Sequence, residues 1–334
     1  MVLKQMDNEI HVKGRLKTKN LEVKESKKRP GVNVISGRLT VEYVDETGNI
    51  NTSEVNIMVS ETTNAGKHNT VYDGYLTVMN EYKDMDTLIK NNQDPNLADI
   101  VDVSGEINSN DYISTRSGAL ISTNNIRANF VNRVSPGTDG FVEGAGGNIE
   151  VVVDKFIDEI KDDEPTGRKK VIAYSVGYGE RVSELQNLYV GEKLADAFEE
   201  MYYQGSNGIL TVKIRHYAET KEIQSDFAEQ QTGFGQTEDL VREVTHWVNE
   251  LEVIGGFLPF EDEKATTEED LVTIREKREK FLEEKRATAS QTQTATNPAQ
   301  AVGGFGSAVV TQTTNPFAVS GKEKLDISQD ELPF

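Results

Sequence analysis

The first 134 residues are dominated by runs in which apolar and polar positions alternate, the pattern of strands that bury one face. Turn-forming residues separate these runs. One stretch differs, because its apolar side chains recur at helical spacing; they are Tyr72, Tyr75, Leu76, Met79 and Tyr82. The predicted order is therefore three strands, a helix and two strands. The predicted strands lie at about 8–25, 31–45, 50–60, 98–108 and 119–134.

A second block repeats this order of elements. Its strands are predicted at about 149–160, 169–178, 183–190, 208–217 and 244–256. The helix between its third and fourth strands has an apolar face formed by Leu194, Ala197, Phe198, Met201 and Tyr202. Gly205 follows at the place where a helix C-cap is expected. Five strands with a helix between strands 3 and 4 resemble the OB-fold, so the fold class is expected to be mainly β with two tandem five-stranded barrels.

The remaining segments divide the chain further. Five glycines and a proline predict a linker over 135–148. A charged helix is predicted within 261–287, with capping-box spacing at Thr266 and Glu269 and at Thr267 and Asp270. Its apolar stripe, interrupted by Arg278, consists of Leu271, Ile274, Phe281 and Leu282. Packing on the second barrel, pairing with a second copy and a solvated spacer all remain open. The predicted units are 1–134 and 149–260 (barrels), 288–325 (disordered linker) and 326–334 (acidic tip).

Composition narrows the classes of function. The chain has 334 residues, 36% of them apolar, a mean hydropathy of -0.54 and a net charge of -20. That charge excludes a uniformly basic nucleic-acid coat. Residues 1–40 nevertheless carry +6, whereas the middle of the chain carries -21. An anionic partner would therefore meet a local basic surface. Without cysteine, thiol catalysis and Cys–zinc sites are excluded. No apolar run is long enough to span a membrane, and we expect a soluble, intracellular protein.

The last ten residues carry the most specific signal. An uncharged stretch at 288–314 leads to an acidic segment that ends in an aliphatic residue, proline and phenylalanine. This resembles the C-terminal tip of bacterial and phage single-stranded DNA-binding proteins. The matching residues are Asp326, Asp330, Glu331, Leu332, Pro333 and Phe334. The acidic cluster is sparser than is usual in that family, because Ser328 and Gln329 interrupt it.

The resemblance implies a protein that coats single-stranded DNA in replication, recombination or repair. It also implies recruitment of partner proteins through the tip, with Phe334 in an apolar pocket and the acidic residues steering toward a basic rim. Members of that family use several OB-folds per assembly, which implies a homo-oligomer. Because this chain has two predicted barrels, fewer copies are required, and monomer, dimer and tetramer all remain open. The resemblance further implies a cytoplasmic protein of a bacterial cell, and whether the bacterium or a phage encodes it is left open.

A single strand bound without sequence preference needs a basic groove and stacking surfaces. Strand parity places Lys13, Arg15, Lys17 and Lys19 on one predicted face. It assigns Phe130, Tyr174 and Tyr178 to the core and leaves Trp247 open between core and DNA contact. The candidate DNA-binding residues are Lys13, Arg15, Lys17, Lys19, Arg38, Tyr112, Arg116, Arg127, Arg133, Lys169, Lys170, Lys213, Arg215, Tyr217 and Trp247.

No catalytic motif emerges from the sequence. The four histidines form no HExxH pair, and neither a Walker motif nor a G-x-S-x-G elbow is present. Acidic clusters in so acidic a chain are expected to be plain surface, so we expect neither an enzyme nor a cofactor or metal site. The alternative to DNA binding is an OB-fold adaptor or a structural phage protein that binds other proteins.

Overall fold

A computed structural model of the chain describes residues 3–135, 137–161, 163–224 and 241–295. These residues form eleven β-strands and four α-helices, so the expected mainly β class is confirmed. Both barrels lie in one compact unit, Met1–Ser290.

The first barrel closes through a parallel seam. Antiparallel pairs join β1 to β2, β2 to β3, β4 to β5 and β1 to β4. The ring is completed where β3 pairs with β5 in parallel, with Val55 opposite Ile126 and Asn56 opposite Arg127. This closed order is that of the OB-fold. The strands are β1 (Asn8–Glu25), β2 (Asn33–Val44), β3 (Ile50–Ser60), β4 (Ile100–Ile113) and β5 (Leu120–Val134).

The second barrel has the same closure. A short strand, β9, takes the third position and pairs antiparallel with β7 and in parallel with β11. The single strand predicted at 183–190 is split in two, because β8 forms a hairpin with β7 before the chain reaches β9. The prediction of tandem OB-like barrels is thus confirmed by strand pairing. The strands are β6 (Gly144–Lys161), β7 (Glu164–Gly177), β8 (Arg181–Glu184), β9 (Leu188–Val190), β10 (Asn207–Gln224) and β11 (Val241–Gly256).

Each barrel carries the predicted helix between its third and fourth strands. The helices are α1 (Thr70–Glu81), α2 (Met85–Lys90), α3 (Glu192–Met201) and α4 (Glu268–Ala295). The side chain of Asn69 caps α1 by accepting a hydrogen bond from the backbone N–H of Val71. The C-cap of α3 is Tyr202 rather than the predicted Gly205. Gly205 lies in the next turn, where its φ of +89° suits glycine.

The glycine-rich segment predicted as a linker is partly strand. Residues 144–149 pair with 8–13 of β1, which joins the two barrels in one sheet. A Cβ on Gly146 or Gly147 would lie 2.2 and 2.0 Å from the backbone oxygens of Val212 and Glu9. Glycine is therefore required for close backbone approach in a strand that is paired on both sides.

Helix α4 continues to Ala295, so residues 288–295 of the predicted disordered linker are helical, and residues 296–325 lie outside the described residues. The helix packs on the folded body. The predicted capping box at Thr267 and Asp270 is confirmed, because each backbone N–H donates to the other side chain, at 3.0 and 3.1 Å. Leu271 and Ile274 are buried in a cluster with residues of the second barrel. Arg278, which breaks the apolar stripe, is buried too. The solvated-spacer alternative is therefore wrong.

Candidate nucleic-acid interface

A polar groove of about 490 Å³ lies on the first barrel where β3 meets β5. Strands β2 and β3 supply outward-facing positions, and the β4–β5 hairpin forms the opposite wall. This is the barrel face that OB-folds use for oligonucleotides and oligosaccharides. The groove is lined by Arg38, Glu54, Asn56, Asn110, Tyr112, Thr123, Asn124 and Asn125.

The amides of the groove are held by contacts across strand boundaries. The Asn56 amide bonds the Asn125 side chain across the parallel seam. Asn124 accepts a 2.9 Å hydrogen bond from the backbone N–H of Gln186, which belongs to the second barrel. Tyr112 ends β4 with 43% of its surface exposed. The groove therefore combines fixed amides with an accessible aromatic ring.

The cations of the groove are paired weakly. Arg38 lies 3.4 Å from Glu54, and both side chains are exposed. Arg127, beside the seam, lies 3.9 Å from Glu106. Such exposed ion pairs contribute little stabilising free energy, so the cation readily exchanges its carboxylate partner for another anion. Arg116 is exposed in the turn after β4 and makes no ion pair within the described ranges. Of the predicted site residues, Arg38 and Tyr112 line the groove, and Arg127 adjoins it opposite Asn56.

The predicted basic face of β1 is largely neutralised. Lys13 lies 3.6 Å from Asp102, and Lys17 lies 2.7 Å from Glu42. Arg15 donates to two backbone carbonyl oxygens in the loop before β4. These cations stabilise the barrel, and less of their charge is available to a phosphate backbone.

Lys19 does not share the face of Lys13 and Arg15. The β1–β2 register shifts between Leu16 and Thr18, and this bulge changes the parity of the positions that follow. The Lys19 ammonium group donates to the backbone oxygens of Met79 and Tyr82 at 2.7 and 2.6 Å. Burial lowers its pKa. Lys19 therefore caps the C-terminus of α1, where a cation is favourable.

We expect Lys19→Met to destabilise the protein by about 1 kcal/mol, because the last carbonyl groups of α1 lose their cation. Chemical denaturation with circular dichroism detects this loss. Lys24→Met is the matched control, since Lys24 is an exposed lysine of the same strand that pairs with Glu22. An equal loss in both variants would contradict the capping role.

Lys213 and Arg215 join the two barrels. Lys213 lies 2.7 Å from Glu46. Arg215 contacts Glu46 at 2.5 Å, Glu252 at 2.8 Å and Asp45 at 3.1 Å. Asp45 and Glu46 belong to the β2–β3 turn of the first barrel. Both predicted DNA-binding cations are therefore committed to an interface within the protein.

The carboxylates of this joint have low pKa values. The pKa of Glu46 is lowered to about 2, first by its hydrogen bonds with Arg215 and Lys213. Burial raises the pKa of Asp45, but hydrogen bonds from Thr47 and Asn51 outweigh it and lower the value to about 2. Both groups therefore remain ionised in the folded protein down to strongly acidic pH.

The basic run at the start of β7 is mostly paired as well. The Arg168 guanidinium lies 2.5 Å from Glu250 and 4.7 Å from the centre of the Tyr189 ring. Lys169 contacts two carboxylates at 2.6 and 2.9 Å, and hydrogen bonds with them raise its pKa. Lys170 makes no ion pair among the described residues. Of the predicted Lys169 and Lys170, the second is the better placed for an external anion.

Arg133 closes the end of the first barrel. Its side chain lies 3.1 Å from Asp99, and its guanidinium stacks 4.3 Å from the centre of the Tyr82 ring. It also donates to the backbone oxygen of Glu81 at 3.2 Å. These contacts hold Arg133 against α1, away from the groove.

Two aromatic residues, Tyr217 and Trp247, lie in the part of the β10–β11 hairpin that extends past the second barrel. Trp247 is 61% exposed, with its ring 5.7 Å from that of His216. This excludes the core assignment that the sequence left open. His216 Nδ1 lies 2.8 Å from the backbone oxygen of Thr52, so the hairpin adjoins the β3 strand of the first barrel. Tyr217 is half-buried, and burial raises its pKa.

Two aromatic residues assigned to the core are exposed. Phe130 is 55% exposed because the β4–β5 register shifts between Ser104 and Gly105, which leaves Asn129 as an extra residue. Tyr178 is 87% exposed because the chain leaves β7 at Gly177 and enters a short turn. These two assignments were wrong, whereas the burial of Tyr174 is confirmed.

Sequence reasoning missed the four asparagines of the groove. A search for charges and aromatic rings passes over amides, although Asn110 lies two residues from Tyr112. The signal was the pair Asn124–Asn125 within a strand, where asparagine is depleted. This pair could be recognised as part of a groove only once β3 and β5 were known to be neighbours.

Within the described ranges, no group of three or more histidine, aspartate or glutamate side chains is arranged to hold a metal ion. No helix among these residues is long and apolar enough to cross a membrane. The tip residues Asp326, Asp330, Glu331, Leu332, Pro333 and Phe334 lie outside the described residues.

Comparison with known proteins places the chain in a family. The YorF family model matches residues 7–288. The chain belongs to the YorF family. No curated protein matches this YorF-family chain.

Among the solved structures that are similar to the chain, two are of the single-stranded DNA binding protein from Thermus aquaticus. The wild-type structure is 11% identical, with a TM-score of 0.43, and covers 79% of this chain and 98% of its own. A deletion mutant is 12% identical, with a TM-score of 0.42, and covers 77% and 97%. The OB assignment of this YorF-family chain rests on its own strand pairing.

Proposed function

We propose that the chain binds single-stranded DNA in the groove between β3 and β5 of the first barrel. The observation that carries this proposal is the joint placement of an exposed ring, Tyr112, a weakly paired guanidinium, Arg38, and fixed amides on the binding face of an OB barrel. An aromatic ring stacks on any base, and a guanidinium group contacts the phosphate backbone. The two together bind a strand without reading its sequence.

The amides suit unpaired bases. Each asparagine side chain both donates and accepts hydrogen bonds, so it meets the edge of any of the four bases. From Thr52, beside His216, to Asn56 in the groove, β3 rises by about 13 Å. A single-stranded DNA that follows this face of the barrel therefore runs from Tyr112 toward the exposed Trp247.

A fluorescence titration with oligo-dT at low and high salt tests the proposal, with duplex DNA as competitor. We expect tight, salt-sensitive binding that quenches Trp247 and that duplex DNA does not displace. Absence of binding at low salt would reject the proposal.

Within this function, the protein coats strands exposed in replication, recombination or repair and acts by binding rather than catalysis. Assembly into a homo-oligomer would multiply the number of barrels on one strand. The acidic segment that ends in Leu332, Pro333 and Phe334 recruits partner proteins, because an aliphatic–proline–aromatic sequence fits a small apolar pocket with a basic rim.

We expect deletion of Phe334 to abolish partner recruitment and to leave oligo-dT affinity unchanged, because the anchor of the tip is lost while the groove is intact. Pull-down of host replication and recombination proteins with the full chain and the deletion variant measures recruitment. Ser328→Ala, an uncharged change in the same segment, is the control. Recruitment that survives the deletion would show that the tip resemblance is accidental.

A second candidate is a protein-binding adaptor. It is favoured by the ion pairs of Lys13, Lys17, Lys213 and Arg215, which leave less basic surface than the sequence predicted. The same titration separates the two functions, because an adaptor does not bind oligo-dT.

A further inference from the structure

Arg278 of α4 is buried against the first barrel. Its guanidinium donates two hydrogen bonds to the carboxylate of Asp111, both 2.7 Å long, and a third to the hydroxyl of Ser109 at 3.2 Å. Arg278 is 3% exposed. A bidentate pair of this kind fixes the orientation of both partners.

Two neighbouring cations of α4 reach the second barrel. Arg275 pairs with Asp154 of β6, and Lys277 pairs with Glu180 beside β8. The bidentate pair with Asp111 thus joins α4 to β4 of the first barrel, while the Nε of Arg278 lies 3.6 Å from Glu184 of β8.

Asp111 stands directly behind the groove. Its neighbours along β4, Asn110 and Tyr112, both line the groove. Successive side chains of a strand point to opposite faces, so a fixed Asp111 fixes the direction of both neighbours. Ser122 of β5 also donates to Asp111, at 2.6 Å. The Arg278 contact thus holds both strands of the groove wall from the side that faces α4.

We propose that Arg278 is a positioning residue for the groove, so that docking of α4 and binding of a single strand are coupled. This inference rests on the proposed function. When Arg278 holds Tyr112 in place, the ring binds a base more tightly. Bound DNA in turn holds the β4–β5 wall of the groove against Asp111 and so stabilises the docked α4. Such coupling is reciprocal by thermodynamic necessity.

Hydrogen exchange of the full chain, with and without saturating oligo-dT, tests the coupling without any substitution. We expect amide exchange within residues 268–288 to slow several-fold on binding, while exchange in α3, on the second barrel, stays unchanged. Binding that leaves the exchange of α4 unchanged would overturn the inference and leave the proposed function intact. Absence of binding would defeat both.

Two substitutions distinguish a role of Arg278 in positioning the groove from a contribution to protein stability alone. Arg278→Lys keeps the charge but loses the bidentate geometry, and we expect oligo-dT affinity to fall by about fivefold. Ile274→Val removes one buried methyl group but leaves the Arg278–Asp111 pair in place, so it is the matched control, with a lower melting temperature and unchanged affinity.

A double substitution completes the test. In a Tyr112→Ala background, Arg278→Lys lowers affinity by less than it does in the wild type, because of the two groove residues that it positions only Asn110 remains. Additive losses, or wild-type affinity in Arg278→Lys, would reduce Arg278 to a structural residue.

Discussion

Tyr112→Ala lowers the affinity for oligo-dT by about tenfold, since stacking of one base on an aromatic ring is worth roughly 1–3 kcal/mol. The ring is exposed at the end of β4, where no other side chain offers a stacking surface within the groove lining. Tyr112→Phe retains the ring and therefore retains affinity. Fluorescence anisotropy of labelled oligo-dT measures all three proteins.

Tyr178→Ala is the matched control for Tyr112. Tyr178 is more exposed than Tyr112, but it lies on the second barrel and does not line the groove. We expect its removal to leave affinity within about twofold of the wild type, as for a surface change away from the site. Equal losses at both positions would show that the strand does not follow the groove.

The barrels could be predicted because their signal is local. Alternation marks each strand, and the helix with Tyr72 and Tyr75 on its buried face falls between strands 3 and 4, as predicted. The bulges could not be predicted in the same way. One extra residue near Leu16 turned Lys19 away from its predicted face, and another at Asn129 exposed Phe130. A bulge is set by the neighbouring strand, which parity along one strand does not reveal.

The groove was predicted only in part, for a related reason. Arg38 was selected for its charge and Tyr112 for its predicted place in the loop before the last strand, although Tyr112 lies within β4. Asn56 and Asn125 acquire meaning only where β3 and β5 meet. The prediction of DNA-binding residues from charge failed most clearly at Arg215, whose charge is used within the protein. Its partner Glu46 lies 169 residues away in sequence, so nothing near Arg215 shows that its charge is already compensated.

Arg215→Leu destabilises the protein by about 3 kcal/mol, the lower end of the cost of removing one partner from a buried ion pair. Arg215 is 13% exposed, and its loss leaves the buried carboxylate of Asp45 without its cation. Thermal and urea unfolding of the full chain measure this cost. Lys213→Met is the control, because the half-exposed Lys213–Glu46 pair contributes at most about 1 kcal/mol. Equal losses in the two variants would contradict the central role of Arg215.

The pH dependence of the unfolding free energy tests whether Arg215 stabilises the protein through its contact with Glu46. Glu46 has an ordinary pKa of 4.5 and a folded pKa of about 2, so its stabilising contribution is complete above pH 4.5 and is lost as the pH falls toward 2. Its first cause is the hydrogen bond with Arg215. In Arg215→Leu the folded pKa therefore moves back toward 4.5, and the unfolding free energy depends less steeply on pH in this window. An unchanged slope would assign the low pKa to Lys213 instead, and the two barrels would then be joined by the exposed lysine rather than by the buried arginine.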